Sequence, residues 1–245
     1  MRISNQASFF ANLVGIEANT ANTLKILTEL SSAGLDLLPS TMQEISNPMM
    51  PPTQRLRFAS ANGEIEINIG TGRLDVIQQR NFMVPESELG STAEFATLVS
   101  KCLKSVLPQK GVLANRLALI VRVVDEALSP ETMHERFRTL FNAPAFYKGN
   151  VPTEWTFRAN VVSDTEFGGF SDRINTILKI ERVQGQAIDS AGGWKEFDRI
   201  FTEYDINTVA TNGAARFPYE VVHEFIGSAS KVLDDVESDL ASNVS

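Results

Sequence analysis

Residues 54–78 read QRLRFASANGEIEINIGTGRLDVIQ. Within this stretch, two turn signals and one alternation of apolar residues indicate the same strand register. The dipeptide Asn62-Gly63 is favoured in two-residue hairpin turns of type I′, because both turn positions need positive φ. Thr71-Gly72 offers a second two-residue turn. Together the turns place six apolar side chains on one face of a three-stranded meander: Leu56, Phe58, Ile67, Ile69, Leu74 and Val76. A slip of one residue would turn that set to solvent, so the sequence predicts an antiparallel meander over 54–78.

The opposite face of this meander carries Arg57, Asn68 and Asp75 in one row across three strands. The row is either a small functional cluster or a solvated charge pair bridged by an amide. An exposed pair of this kind contributes under about 1 kcal/mol. The second interpretation is favoured, because the outer face of an antiparallel sheet is ordinarily solvated.

Two helices in the first half are marked by their N-terminal signals. A capping box at residues 91–94 precedes an apolar stripe, which predicts a helix over 92–107. Cys102 lies within that stripe and is interpreted as a small buried hydrophobic residue, not as a nucleophile. A second helix is predicted over 130–141, with Pro130 at its first position.

The second half of the chain predicts three more strands, two glycine-containing loops and a long amphipathic helix: strands over 155–162, 174–183 and 200–209, loops over 164–172 and 185–193, and the helix over 218–240. The predicted fold class is therefore α+β, a mainly antiparallel sheet in two βββα-like halves with amphipathic helices packed on one face. The halves are residues 1–150 and 151–245, either as two domains or as one continuous domain.

The remaining segments have fewer periodic signals. Residues 8–17 are interpreted as a strand, residues 20–32 as a helix, and residues 35–52 as a connection without regular structure. Residues 117–124 are apolar at odd and even positions alike, except at Arg122, so both faces of a strand here would be apolar. This predicts a central strand covered on both faces.

The composition limits the class of protein. Hydrophobic residues make up 43% of the chain and charged residues 21%, as in ordinary globular proteins. No apolar run reaches the length of a membrane span, and the N-terminus lacks the pattern of a secretory signal. The single cysteine excludes an intramolecular disulfide and fits a reducing compartment, so a cytoplasmic location is expected. The net charge of −8 disfavours nucleic acid and anionic membrane as partners.

The sequence contains no phosphate-binding glycine loop, no GxSxG elbow and no HExxH motif. Carboxylates are the only other catalytic candidates: Asp164, Glu166 and Asp172 in one predicted loop, and Glu203 and Asp205 on one face of a predicted strand. Paired carboxylates can act as acid and base, and oxygen ligands suit hard cations. The loop lacks the EF-hand spacing, and neither a metal site nor a cofactor is predicted.

Three aromatic residues are candidates for an interface: Trp194, Phe167 and Phe170, each next to a Gly-Gly pair. The leading hypothesis is a non-catalytic cytoplasmic interaction or accessory protein. It would bind a protein partner, and in one form of the hypothesis a second copy of itself, through a sheet edge or the long helix. One alternative is a small-molecule or metal-dependent enzyme with a carboxylate-lined pocket. The other is a nucleic-acid binder that uses a local basic and aromatic face.

Overall fold

The computed structural model of the chain describes residues 1–45, 49, 51–82, 84, 87–107, 111–150, 152–188, 192–210 and 213–242. Its helices are α1 (Thr20–Ser32), α2 (Thr92–Val106), α3 (Pro130–Leu140), α4 (Ala145–Gly149) and α5 (Val222–Ser242), the last preceded by a 3₁₀ turn at Tyr219–Val221. Its strands are β1 (Arg2–Phe10), β2 (Leu38–Glu44), β3 (Thr53–Ala59), β4 (Ile65–Ile69), β5 (Leu74–Gln79), β6 (Leu113–Ala114), β7 (Arg116–Val124), β8 (Thr156–Phe167), β9 (Phe170–Ile188), β10 (Trp194–Thr208) and β11 (Phe217–Pro218).

Nine strands form one sheet in the order β2-β3-β4-β5-β1-β7-β10-β9-β8, and β6 pairs with β11 in a separate ladder. Neighbouring strands of the large sheet run antiparallel. The early strands and the late strands meet where β1 pairs with β7, with Ala7 opposite Leu119. The predicted α+β fold with a mainly antiparallel sheet is confirmed, and strands from both predicted halves share this sheet.

The helices pack on one face of the sheet because most of its strands present alternate apolar side chains to that side. Phe9, Phe58 and Ile206 are among the buried strand residues, and α2 packs between α1 and α5 above them. The predicted capping box is present: the Glu94 amide donates to Ser91 Oγ at 3.3 Å, and the Ser91 amide donates to Glu94 Oε2 at 2.7 Å. Because the helices pack on one face of the sheet, the main apolar core lies between that face and the helices.

Cys102 lies on the buried side of α2, as predicted, and is fully buried. Burial raises the pKa of its thiol to about 12, because a thiolate would lose its hydration there. This thiol therefore packs as a hydrophobic group.

The register of the meander is confirmed. Phe58 lies opposite Ile67, and Ile67 lies opposite Val76 in turn. Ile69 lies opposite Leu74 across the turn at Thr71-Gly72. The apolar set predicted for one face does lie under the helices.

Several boundary predictions were wrong. β1 begins at Arg2 instead of residue 8, and the supposed connection over 35–52 contains the strand β2. The supposed loop over 164–172 is a tight hairpin, in which Gly168 and Gly169 have φ of 52° and 79° and Phe167 pairs with Phe170. Glycine adopts positive φ without steric cost, so the ladder continues up to the turn.

Two further predictions need correction. The supposed loop over 185–193 starts later than predicted, since β9 runs to Ile188; residues 189–191 lie outside the described residues, and β10 begins at Trp194. β7 is central in the sheet, but helices pack on only one of its faces in the described part of the chain. Within the described ranges, no helix combines the length and the apolar character that a membrane crossing requires.

Candidate functional site

The face of the sheet that points away from the helices is called the open face. One row of residues runs across eight strands of it, each residue paired with the next: Arg57, Asn68, Asp75, Ser8, Ala118, Asn207, Asn175 and Val162. The row is mostly polar, whereas most of the adjacent residues along the same strands point into the core, those on the edge strand β8 excepted. The predicted row of Arg57, Asn68 and Asp75 is thus the first part of a longer polar row.

The charges in that row pair differently from the predicted arrangement. Arg57 Nη2 lies 2.5 Å from Glu66 Oε2, and Asn68 donates to the other oxygen of the same carboxylate at 2.6 Å. Asp75 pairs with Arg73 and not with Arg57. Arg57 is closer to Glu66 on the neighbouring strand β4, and Asp75 is closer to Arg73 two residues away, than Arg57 and Asp75 are to each other across two strands, so the predicted amide bridge does not form.

Asp75 is the buried centre of a hydrogen-bond network on the open face, and only 5% of its surface is exposed. Ser8 Oγ donates to Asp75 Oδ1 at 2.5 Å, and Gln6 Nε2 donates to the same oxygen at 3.3 Å. Arg73 Nε lies 2.8 Å from Asp75 Oδ2. The carboxylate is therefore compensated by neighbouring donors and holds the Arg73 guanidinium in place.

Phe10 lies next to this network, with guanidinium groups on either side along the sheet. The Arg73 Cζ is 5.7 Å from the centre of the Phe10 ring, and the Arg116 Cζ is 4.9 Å from it. Both distances are in the range of cation–π contacts. Arg116 pairs with Phe10 across the β1–β7 ladder, and its Nε has no hydrogen-bond partner among the described residues. We call Phe10, Arg73 and Arg116 the arginine–phenylalanine cluster.

A hollow of about 450 Å³ opens beside this cluster on the open face. Its walls include Phe10, Arg73 and Asp75 on one side and Glu44 and Thr71 on the other. Thr71 Oγ1 donates to Glu44 Oε1 at 2.9 Å, and the Thr71 amide donates to Glu44 Oε2 at 3.0 Å. The acidic wall is thus already hydrogen-bonded, while half of the Arg73 side chain is exposed to solvent.

The open face differs in charge from the rest of the molecule. By strand alternation, ten cations and eight carboxylates lie on it: Arg55, Arg57, Arg73, Arg116, Arg122, Arg158, Arg173, Lys179, Lys195 and Arg199 against Glu44, Glu66, Asp75, Asp164, Glu166, Glu181, Glu203 and Asp205. The whole chain carries −8, so the excess negative charge lies elsewhere, as on the acidic end of α5. In the described part of the chain Arg116, Arg158 and Arg173 make no ion pair.

The five candidate catalytic carboxylates do not form one site. Glu203 pairs with Arg122 at 2.7 Å, and Asp205 accepts from Asn207 at 2.8 Å, both on the open face. Asp172 lies on the opposite face and pairs with Arg216 at 2.8 Å. Asp164 and Glu166 are exposed on the edge strand β8. Within the described ranges no group of three or more His, Cys, Asp or Glu side chains is arranged to hold a metal ion.

The three aromatic candidates for an interface occupy different environments. Trp194 is 71% exposed at the start of β10. Phe167 is buried, 5.3 Å from the Phe225 ring, and Phe170 packs partly buried between Phe167 and Phe217. The arginine–phenylalanine cluster was not predicted from the sequence, because its three residues come together only through the pairing of β1 with β5 and β7.

No protein-family model matches this sequence, and no curated protein matches it. Among solved structures, the chain is similar to a rolling circle replication initiator protein from Geobacillus stearothermophilus. The match has 10% sequence identity and a TM-score of 0.26, and it covers 86% of this chain and 74% of that one.

This match contradicts the predicted function, a non-catalytic interaction or accessory protein, and we withdraw that prediction. The prediction had relied on the lack of catalytic motifs, which says nothing about a polar surface assembled from several strands. At a TM-score of 0.26 the likeness carries no argument for a replacement. A function for this chain is therefore inferred from the open face alone.

Proposed function

We propose that this chain binds single-stranded nucleic acid across the open face. The observation that carries the proposal is the arginine–phenylalanine cluster, in which Arg73 and Arg116 flank Phe10 beside a hollow of about 450 Å³. Bases of single strands stack on aromatic rings and on guanidinium planes, and cationic grooves follow the phosphates. The cluster offers both kinds of contact at one place, on the face of the sheet that carries no helix among the described residues.

The network behind the cluster supports this role. Asp75 fixes Arg73 through a 2.8 Å contact, and Ser8 and Gln6 in turn fix Asp75. A guanidinium that is held in place loses less conformational entropy when it binds a ligand. The proposal therefore assigns Arg73 and Arg116 to contact with the nucleic acid, and Asp75 to positioning.

The charge distribution also supports the proposal. The net charge of −8 led to the expectation that nucleic acid is disfavoured, and that expectation is untested. Net charge describes the whole surface, whereas binding depends on the local field. The open face is close to neutral and includes arginines without ion-pair partners among the described residues. A cytoplasmic location is part of the proposal, since the one thiol, Cys102, suits a reducing compartment.

Fluorescence anisotropy with labelled oligonucleotides of about 15 nucleotides tests this function, with single-stranded DNA, single-stranded RNA and a duplex as separate ligands. We expect saturable binding of a single strand that weakens as salt rises. The variant Arg73→Gln/Arg116→Gln should bind at least about tenfold more weakly, because stacking on each platform contributes on the order of tenfold. Its log–log salt slope should fall by about 1.4, since each lost phosphate contact removes about 0.7.

The matched control is Lys101→Gln/Lys104→Gln, which removes the same charge from the exposed side of α2. It should change the affinity less than about twofold if binding is local to the open face. Equal losses in the two double variants would show that only overall charge matters. The proposal fails if the wild-type chain does not bind a single strand at low salt, or if it binds only the duplex.

A further inference from the structure

The ends of β9 and β10, residues 182–188 and 194–200, extend beyond the ladders with β8 and β7 as a two-stranded arm. At its base, the amides of Asp125 and Leu128 still donate to β10, and the amide of Arg182 donates to the Trp155 carbonyl. β10 pairs with β7 only over 201–207, whereas it pairs with β9 from Trp194 onwards. β8 likewise accompanies β9 only as far as Glu181. The arm therefore projects from the end of the sheet opposite to the arginine–phenylalanine cluster, because Arg116 lies at the other end of β7.

Basic and aromatic side chains alternate along β10 on the arm face that continues the open face: Lys195, Phe197, Arg199 and, at its base, Phe201. Lys195 is exposed, and in the described part of the chain it makes no ion pair. Arg199 Nε finds no hydrogen-bond acceptor there either. Lys195 is thus open to an external anion, and Arg199, half-buried with its Nε shielded from solvent, has no ion-pair partner among the described residues.

Gly185 makes room for the aromatic ring on this face. It lies opposite Phe197, and a Cβ at position 185 would come within 2.8 Å of Phe197 Cζ. A side chain there would displace the ring, so the glycine allows the ring to lie against the backbone of β9. This leaves Phe197 between the two cations on one strand.

The other face of the arm is built differently. Arg182 donates from Nε to Asp198 Oδ1 at 2.9 Å and from Nη2 to Asp198 Oδ2 at 2.5 Å, so its charge is compensated. Ile180 and Ile200 at the base of the arm pack with α3 through Met133. One face of the arm is therefore used for folding, and the face with Lys195 and Arg199 has no such role in the described residues.

We infer that this arm face is a second subsite for the same nucleic-acid strand, an inference that rests on the proposed function. Along β7 and then β10, the arginine–phenylalanine cluster and Lys195 are about 45 Å apart at about 3.3 Å per residue. An oligonucleotide of about 6 nucleotides occupies one subsite, and a longer strand reaches both. Contact at two linked sites raises the affinity of the longer strand through effective concentration.

The test compares a series of single-stranded oligonucleotides of about 6 to 20 nucleotides on three proteins: wild type, Lys195→Gln/Arg199→Gln, and the control Lys101→Gln/Lys104→Gln. The wild type and the control should gain affinity steeply with length. The arm variant should bind the shortest strand within twofold of wild type and the longest at least fivefold more weakly. Circular dichroism and urea unfolding verify that the arm variant is folded.

Three other outcomes distinguish failure of the second subsite from failure of the proposed function. If the arm variant loses nothing at any length while Arg73→Gln/Arg116→Gln binds weakly, the second subsite is refuted and the proposed function stands. If the arm variant loses affinity equally at every length, the arm is not a separate subsite and the inference is wrong. If wild type binds no single strand, the proposed function itself has failed.

Discussion

Replacing Arg55 by methionine is expected to lower the free energy of unfolding by about 3–5 kcal/mol. The Arg55 side chain is 2% exposed and donates to three backbone carbonyl oxygens: Leu13 at 2.9 Å, Gly70 at 3.0 Å and Ile69 at 3.3 Å. Methionine fills much of the same volume but leaves those carbonyls without a donor. It also removes the cation 3.7 Å from Glu44. Urea unfolding, monitored by circular dichroism, should show a lower midpoint at an unchanged m-value.

Arg57→Met is the matched control for this change. Arg57 lies two residues along the same strand and on the same face, but its side chain is 42% exposed and paired with Glu66. An exposed ion pair contributes at most about 1 kcal/mol, so this variant should unfold close to wild type. If the two variants lose equal stability, the hydrogen bonds of Arg55 do not tie the turn between β4 and β5 to the segment that follows β1 in the way described.

Replacing Phe9 and Phe10 by alanine, one at a time, is expected to separate folding from binding. Phe9 is 1% exposed on the helix-covered face, where it pairs with Leu74 on one side and Leu117 on the other. Its loss should cost about 3–5 kcal/mol. Phe10 is its neighbour on the open face, only partly buried and in contact with Arg73 and Arg116. Its loss should cost less than half as much stability.

Binding should show the reverse order. Phe10→Ala removes the ring that holds the two guanidinium groups, and the affinity for a single strand should fall about tenfold, the effect of one stacking platform. Phe9→Ala should bind within about twofold of wild type at a temperature where it is folded, since it has no contact with the open face. Urea unfolding and fluorescence anisotropy on the two variants provide the comparison. A Phe10 variant that binds normally would show that the ring takes no part in binding.

The parts of the fold predictable from sequence were those with local signals. The meander register follows from two turns and one alternation within 25 residues, and the N-terminus of α2 follows from Ser91 and Glu94. The strand β1 was placed too late because Asn5 interrupts the apolar set that faces the helices. β2 was missed because it is an exposed edge strand with few apolar residues.

The candidate site depends on pairings that are distant in sequence. Phe10 meets Arg116 across the β1–β7 ladder, and it meets Arg73 because Phe9 lies opposite Leu74 in the β1–β5 ladder. No periodic pattern in one segment reports such a contact. The position of β1 was the missing information, since its outward residues would then have predicted the polar row. The candidate carboxylates were chosen for their spacing in sequence. The hairpin at Gly168-Gly169 places Asp164 and Glu166 on one face of the sheet and Asp172 on the other.

Photo-cross-linking of the wild-type chain to a single-stranded oligonucleotide that carries a photoreactive base tests the central claim most directly, because it reports which surface the strand touches. After proteolysis and mass spectrometry, we expect the cross-linked peptides to come from β1, β5 and β7, with Phe10 among the modified residues. Cross-links confined to the outer surfaces of α1, α2 and α5, or spread evenly over the chain, would contradict the assignment of binding to the open face.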